Sequence, residues 1–149
     1  MPRLPRNLLP DGIFHVTTRG AGGIAIAVDD HDRRLFLRLL ASEANAYDWS
    51  CHALCLMPNH YHLVVETLLV RLSAGLHRLN GIYAQRFNER HRRLGHLWGD
   101  RFGVRVIEDD RYLATACEYV IQNPVRAGLC ESAADWRWSA SRYGLSSGA

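Results

Sequence analysis

The stretch Trp49-Ser50-Cys51-His52-Ala53-Leu54-Cys55-Leu56-Met57-Pro58-Asn59-His60-Tyr61-His62-Leu63-Val64-Val65-Glu66-Thr67 holds two apolar, strand-like runs, Trp49 to Met57 and His60 to Thr67, on either side of Pro58-Asn59. Proline sets its own φ and asparagine tolerates the left-handed region, so the pair marks a turn and the whole reads as an antiparallel hairpin. Upstream, Ile13-Phe14-His15-Val16-Thr17-Thr18-Arg19 is rich in β-branched and aromatic residues and stops at Gly20, which predicts a first strand and then a flexible loop through Gly23. From Asp30 the period changes. Leu35, Phe36, Leu39, Leu40 and Ala44 share one stripe, predicting a helix that ends near Tyr47. Downstream of the hairpin, Leu72, Leu76, Leu79, Tyr83 and Phe87 predict a second amphipathic helix through about Arg90.

His91 to Gly103 is polar and glycine-bearing, a loop, and Val104 to Ile107 is a short strand. Asp109 or Asp110 offers an N-cap for a third helix, with its stripe at Leu113, Ala116, Cys117 and Val120, that must stop before Pro124. Val125 to Ala149 has no clear periodicity, and Trp136 and Trp138 are assigned to packing. Strands interleaved with three helices predict an α+β sandwich, a mainly antiparallel sheet with helices packed on it.

A chain of 149 residues fits one domain, 1–149, long enough to bury a single core. Its 48% hydrophobic and 22% charged residues, with a mean hydropathy of -0.17, exclude the disordered and fibrous classes. No stretch approaches the roughly 18 apolar residues of a membrane span, and Met1 to Arg6 carries no apolar signal core. The expectation is a cytoplasmic protein with no membrane partner and reduced thiols, since Cys51, Cys55, Cys117 and Cys130 lack zinc-ribbon spacing. The net charge of +3 and pI near 8.8 permit nucleic-acid binding without requiring it. All 18 basic residues are arginine, which suits bidentate phosphate recognition, although a coding bias accounts for it equally well.

His60 and His62 stand at i and i+2 of the expected strand, so both imidazoles leave the same face about 6.6 Å apart along the chain and can converge on one ion. Two half-exposed histidines beside a turn fit that spacing as well. Tyr119 and Asn123 are one helical turn apart, with about 6 Å of rise between them, and Tyr112 lies on the same side; a rim tyrosine and a C-capping asparagine fit equally. Arg86, Arg90, Arg92, Arg93, Arg101 and Arg105 form a possible phosphate track, with His91 and His96 as further donors and Trp98 and Phe102 as stacking platforms. A solvated charged loop is the alternative. Arg3 and Arg6 offer an amino-terminal arm.

Several of these segments together resemble a known family. Cys55-Leu56-Met57-Pro58-Asn59-His60-Tyr61-His62-Leu63-Val64-Val65, Gly95-His96-Leu97-Trp98-Gly99-Asp100-Arg101-Phe102 and Tyr119-Val120-Ile121-Gln122-Asn123-Pro124-Val125-Arg126-Ala127-Gly128-Leu129 resemble the single-tyrosine HUH transposases, the REP-associated tyrosine transposases in particular. Phe14 to Gly20 and Trp136 to Tyr143 resemble the ends of that family, so the likeness covers nearly the whole chain. The resemblance implies a ferredoxin-like (RRM-like) sandwich, His60 and His62 as metal ligands, Tyr119 as nucleophile and Asn123 as a third, amide-type ligand. It implies single-stranded or hairpin DNA as partner, a 5′-phosphotyrosine intermediate, and action as a monomer or homodimer, and a donor set of mixed nitrogen and oxygen ligands suggests Mn2+ or Mg2+ as cofactor. Tyr61 stands where the family carries a bulky hydrophobic residue, and strand alternation turns it to the opposite face.

The chemistry agrees with that assignment. A tyrosine hydroxyl has a reference pKa of about 10, so its attack on phosphorus at neutral pH benefits from a cation on the phosphate. Two imidazoles and one amide leave open positions for phosphate oxygens. A domesticated protein that binds hairpin or single-stranded DNA with little or no cleavage is the competing expectation. A further one is an RNA-binding module on a ferredoxin-like sheet, against which the strands carry Val, Leu and His rather than stacking aromatics.

Overall fold

A computed structural model describes residues 12–100 and 102–142. Arg3, Arg6, Arg101 and Tyr143 lie outside the described residues. The elements run β1 (Gly12–Arg19), α1 (Asp30–Ala46), β2 (Ser50–Leu56), β3 (His60–Thr67), α2 (Leu69–His91), β4 (Gly103–Ile107), α3 (Leu113–Ile121), α4 (Asn123–Arg126) and β5 (Ser139–Ser141). Every pairing in the sheet β4-β1-β3-β2-β5 is antiparallel. The βαββαβ core with order β4-β1-β3-β2 is the ferredoxin-like arrangement.

Alternation along the strands gives the sheet two apolar faces. Phe14, Val16, Tyr61, Leu63 and Val65 meet the stripes of α1 and α2, among them Phe36, Leu40, Leu72, Leu76, Leu79 and Tyr83. Ile13, Ala53, Cys55 and Val64 on the other face meet Leu113, Cys117 and Val120 of α3. The two larger helices are clasped at one end: Asp32 takes Arg90 at 2.9 Å and His91 at 2.8 Å, while Asp29 takes Arg90 at 2.7 Å. No helix among the described residues is long and apolar enough to cross a membrane.

The hairpin turn is held from outside. Met57 N–H donates to the His60 carbonyl at 2.8 Å, the Gly20 amide to the Asn59 carbonyl at 2.8 Å and the Ile26 amide to the Pro58 carbonyl at 2.8 Å. Asn59 keeps a negative φ, so its tolerance of the left-handed region goes unused. Its side chain instead accepts from His60 Nδ1 at 2.7 Å.

Three local expectations need correction. Tyr112 is not part of α3: it closes a single 3-10 turn, Asp110–Tyr112, capped by Asp109, just before the helix. α3 does stop before Pro124, but helical conformation resumes at once in α4, which takes Pro124 into its first turn, where the missing N–H costs nothing. The third predicted helix is therefore followed by a fourth. The carboxyl-terminal segment also supplies a fifth strand, paired with Ala53 to Cys55. Trp136 and Trp138 do pack: Trp136 donates to the Leu56 carbonyl at 3.0 Å, and Trp138 lies against the α1–α2 core.

Candidate active site

The two histidines of β3 share a face with Val64, beneath α3, because their positions alternate with Tyr61 and Leu63. Their ring centroids are 5.0 Å apart in a T-shaped arrangement. The β1–β3 register sets Thr17 opposite His62 and Arg19 opposite His60. It thereby brings up His15, whose Nε2 lies 2.9 Å from His62 Nδ1, while Thr17 Oγ1 lies 3.1 Å from the same nitrogen.

Burial holds all three imidazoles neutral. It pushes His60 down to about 4, helped by Arg19, and His62 down to about 3, with His60 and His15 adding to the effect. His15 is lowered too, by burial and then by Arg105. His60 Nδ1 donates to the Asn59 amide oxygen, so in the neutral ring the Nε2 lone pair is left for another partner.

Tyr119 stands over this group from α3. Its ring meets that of His15 edge-on, with centroids 6.0 Å apart, and the residue is 53% exposed. Arg126 of α4 covers the phenol: its guanidinium carbon is 4.0 Å from the ring centroid, and Nη2 donates to the Tyr119 carbonyl at 2.7 Å. Asn123 opens α4, half-buried, and its amide nitrogen donates to the Val120 carbonyl at 3.2 Å. Tyr61 is on the opposite face, fully buried, its hydroxyl on the Asn80 amide oxygen at 2.7 Å. Tyr112 is 60% exposed at the mouth of a cleft that Tyr119 also lines. Among the described residues, no three His, Cys, Asp or Glu side chains are grouped to enclose an ion.

The arginines divide. Arg90 is committed to Asp29 and Asp32, and Arg93 donates to Asn88 and to the carbonyls of Gly95 and His96. His91 is on Asp32. Arg86, Arg92 and Arg105 are exposed. Trp98 and Phe102 are half-buried against the α1–α2 core, with Trp98 Nε1 on the Asn80 carbonyl at 2.9 Å, so the loop's two aromatics are used in packing.

The family model described as Transposase IS200 like matches residues 24–123, two thirds of the chain. The chain belongs to the IS200-like transposase family. A Haemophilus influenzae protein whose name places it among the REP-associated tyrosine transposases is 25% identical over 142 residues, covering 83% of this transposase chain and 80% of its own. In fold, the chain is similar to a REP-associated tyrosine transposase solved bound to a REP hairpin (TM-score 0.68, 16% identity, 93% of this chain and 82% of that one). It is also similar to a Deinococcus radiodurans R1 protein described as a transposase (TM-score 0.52, 17% identity, 80% of this chain and 95% of that one).

The matched span includes the histidine pair, Tyr119 and Asn123, while His15, Thr17 and Arg126 of this transposase lie outside it. Those three were also missed in the sequence. Arg126 carried a usable signal, since it stands seven residues, two helical turns, beyond Tyr119. His15 and Thr17 stand in the Phe14 to Gly20 run that resembles the family, but nothing local ties them to His62, because only the strand register brings them there.

Proposed function

We propose that this transposase is a metal-dependent enzyme that cleaves and rejoins single-stranded DNA at a hairpin, with Tyr119 as nucleophile. The observation that carries the reading is the exposed Tyr119 phenol standing beside His15, which in turn sits against His62, one of two adjacent desolvated, neutral imidazoles. Neutral imidazoles with an available nitrogen are what a divalent cation needs, and burial keeps His60 and His62 in that form. With no acidic or thiol group completing the set among the described residues, the Asn123 amide oxygen or water would supply the further donor. Mn2+ or Mg2+ bound there would polarise a phosphate and stabilise the charge that develops on it.

The chain's own groups account for the rest. Arg126 holds the Tyr119 ring by stacking and fixes the backbone behind it, so an exposed side chain is presented in one orientation. In the proposed step the phenol loses its proton, its oxygen bonds to phosphorus, the P–O3′ bond breaks, and the freed 3′-oxygen takes up a proton. The 5′-phosphotyrosine conserves the phosphodiester energy, so a 3′-hydroxyl can reverse the reaction. The hairpin preference rests on the ligand of the structural relative and on the sequence resemblance.

The test incubates wild type, Tyr119→Phe, Tyr112→Phe and Tyr61→Phe with hairpin DNA labelled at its 3′ end and manganese, then looks for label on denatured protein. Loss of the adduct in Tyr119→Phe alone is expected. An adduct that survives there and vanishes in another variant assigns the nucleophile elsewhere.

A further inference from the structure

Between β4 and α3, with His15 in its wall, the surface opens into a cleft of about 430 Å³. That is within the roughly 300–1,000 Å³ of small-molecule sites. Two exposed aromatic rings, Tyr112 and Tyr119, stand on its α3 side. Ile107 and Ala116 give it an apolar floor, and Arg105, Glu108 and Thr115 supply a cationic donor, an anionic acceptor and a hydroxyl at its edges. The arginine next to Tyr112 is oriented as well: Arg111 is held by Asp109 at 2.7 Å, with its guanidinium carbon 6.0 Å from the Tyr112 ring centroid.

We propose that this cleft is a nucleobase subsite, taking the base of an unpaired nucleotide next to the cleaved phosphate, with the Tyr112 ring as its stacking wall. The inference rests on the reading of Tyr119 as nucleophile, since Tyr119 and His15 wall both the cleft and the catalytic group. A flat ligand with a π-face and with donors and acceptors on its rim matches an aromatic wall, an apolar floor and mixed polar edges. The ligand's adjoining phosphate matches Arg105. Aromatic stacking of this kind accepts any base, so the subsite would grip an unpaired strand without reading its sequence. Duplex DNA is rejected, because a stacked and paired base cannot enter.

The probe is a DNA hairpin with a single-stranded thymidine flank, in which one abasic site is stepped along the flank. Binding is read by fluorescence anisotropy with EDTA present, so that cleavage plays no part. With wild type, one flank position is expected to lose about tenfold in affinity when its base is removed, within the range that base–aromatic stacking supplies. Tyr112→Ala should bind the intact flank about tenfold more weakly and become indifferent to that abasic site, whereas Tyr112→Phe should keep the wild-type profile. A flat abasic profile with wild type overturns the subsite, and so does a position-specific loss that persists in folded Tyr112→Ala. Failure of the Tyr119 assignment would show separately, as a covalent adduct that survives Tyr119→Phe.

Discussion

His15 offers the sharpest test at the scale of single residues. A ring that ligates a metal is usually oriented through its other nitrogen, and His62 Nδ1 has two neighbours, His15 Nε2 and Thr17 Oγ1, for that purpose. His15→Ala is expected to weaken manganese binding to the DNA-free protein by about 10- to 100-fold, the usual cost of losing such a partner. Electron paramagnetic resonance of free manganese measures it, and unchanged affinity would leave His15 a packing residue. Acid should act on the same group. The unfolded chain protonates His60 and His62 near 6.5, whereas the folded chain does so only at about 4 and about 3. Between those values the unfolded state holds more protons, so stability rises with pH and is lost as pH falls from 6.5 toward 3. The urea midpoint of metal-free protein should be lower at pH 5 than at pH 7, and the His60→Ala/His62→Ala variant should show a flatter dependence.

Among the elements, α2 contains a matched pair of glycines with opposite expectations. A Cβ on Gly75 would be driven into the Trp49 indole, whereas one on Gly81 would meet nothing within 4 Å. Overpacking costs about 1–3 kcal/mol, and the gain in helix propensity is roughly 1 kcal/mol. Gly75→Ala should therefore lower the melting temperature and Gly81→Ala raise it by a few degrees; the two shifting together would refute this account of the α2–Trp49 contact. The periodic elements were legible in the sequence because their stripes are local, and β3 begins and ends where the pattern places it. α4 was not, because proline reads as a stop. Pro124 cannot donate to the Val120 carbonyl, and the Asn123 side chain makes that bond instead, which lets the chain stay helical across the gap. β5 was hidden for another reason. Ser139-Ala140-Ser141 has no strand propensity, and it pairs because Trp136 and Trp138 anchor the segment beside β2.

At the scale of the whole molecule, the sheet order decides what the candidate site contains. The i, i+2 spacing makes His60 and His62 legible in the sequence, but the separation of 47 positions between His15 and His62 is closed only by the β1–β3 pairing. Charge is likewise redistributed by the fold. Arg90 joins α1 to α2, while Arg86, Arg92 and Arg105 face solvent. Hairpin binding should weaken as salt rises, and each of these three that touches phosphate adds about one to the slope of log affinity against log salt. Replacing all three with glutamine should flatten that slope, and Arg90→Gln should lower thermal stability instead. A slope indifferent to the triple substitution would remove these arginines from the DNA path.

The turn that carries His60 has its two carbonyls, Pro58 and Asn59, occupied by the amides of Ile26 and Gly20. Neither donor belongs to the hairpin. Each of those amide protons can exchange with solvent only when its bond to the turn opens, so the exchange lifetimes of Gly20 and Ile26 form a clock on the site. They record how often the His60 end of β3 comes undone, from a loop outside the candidate site.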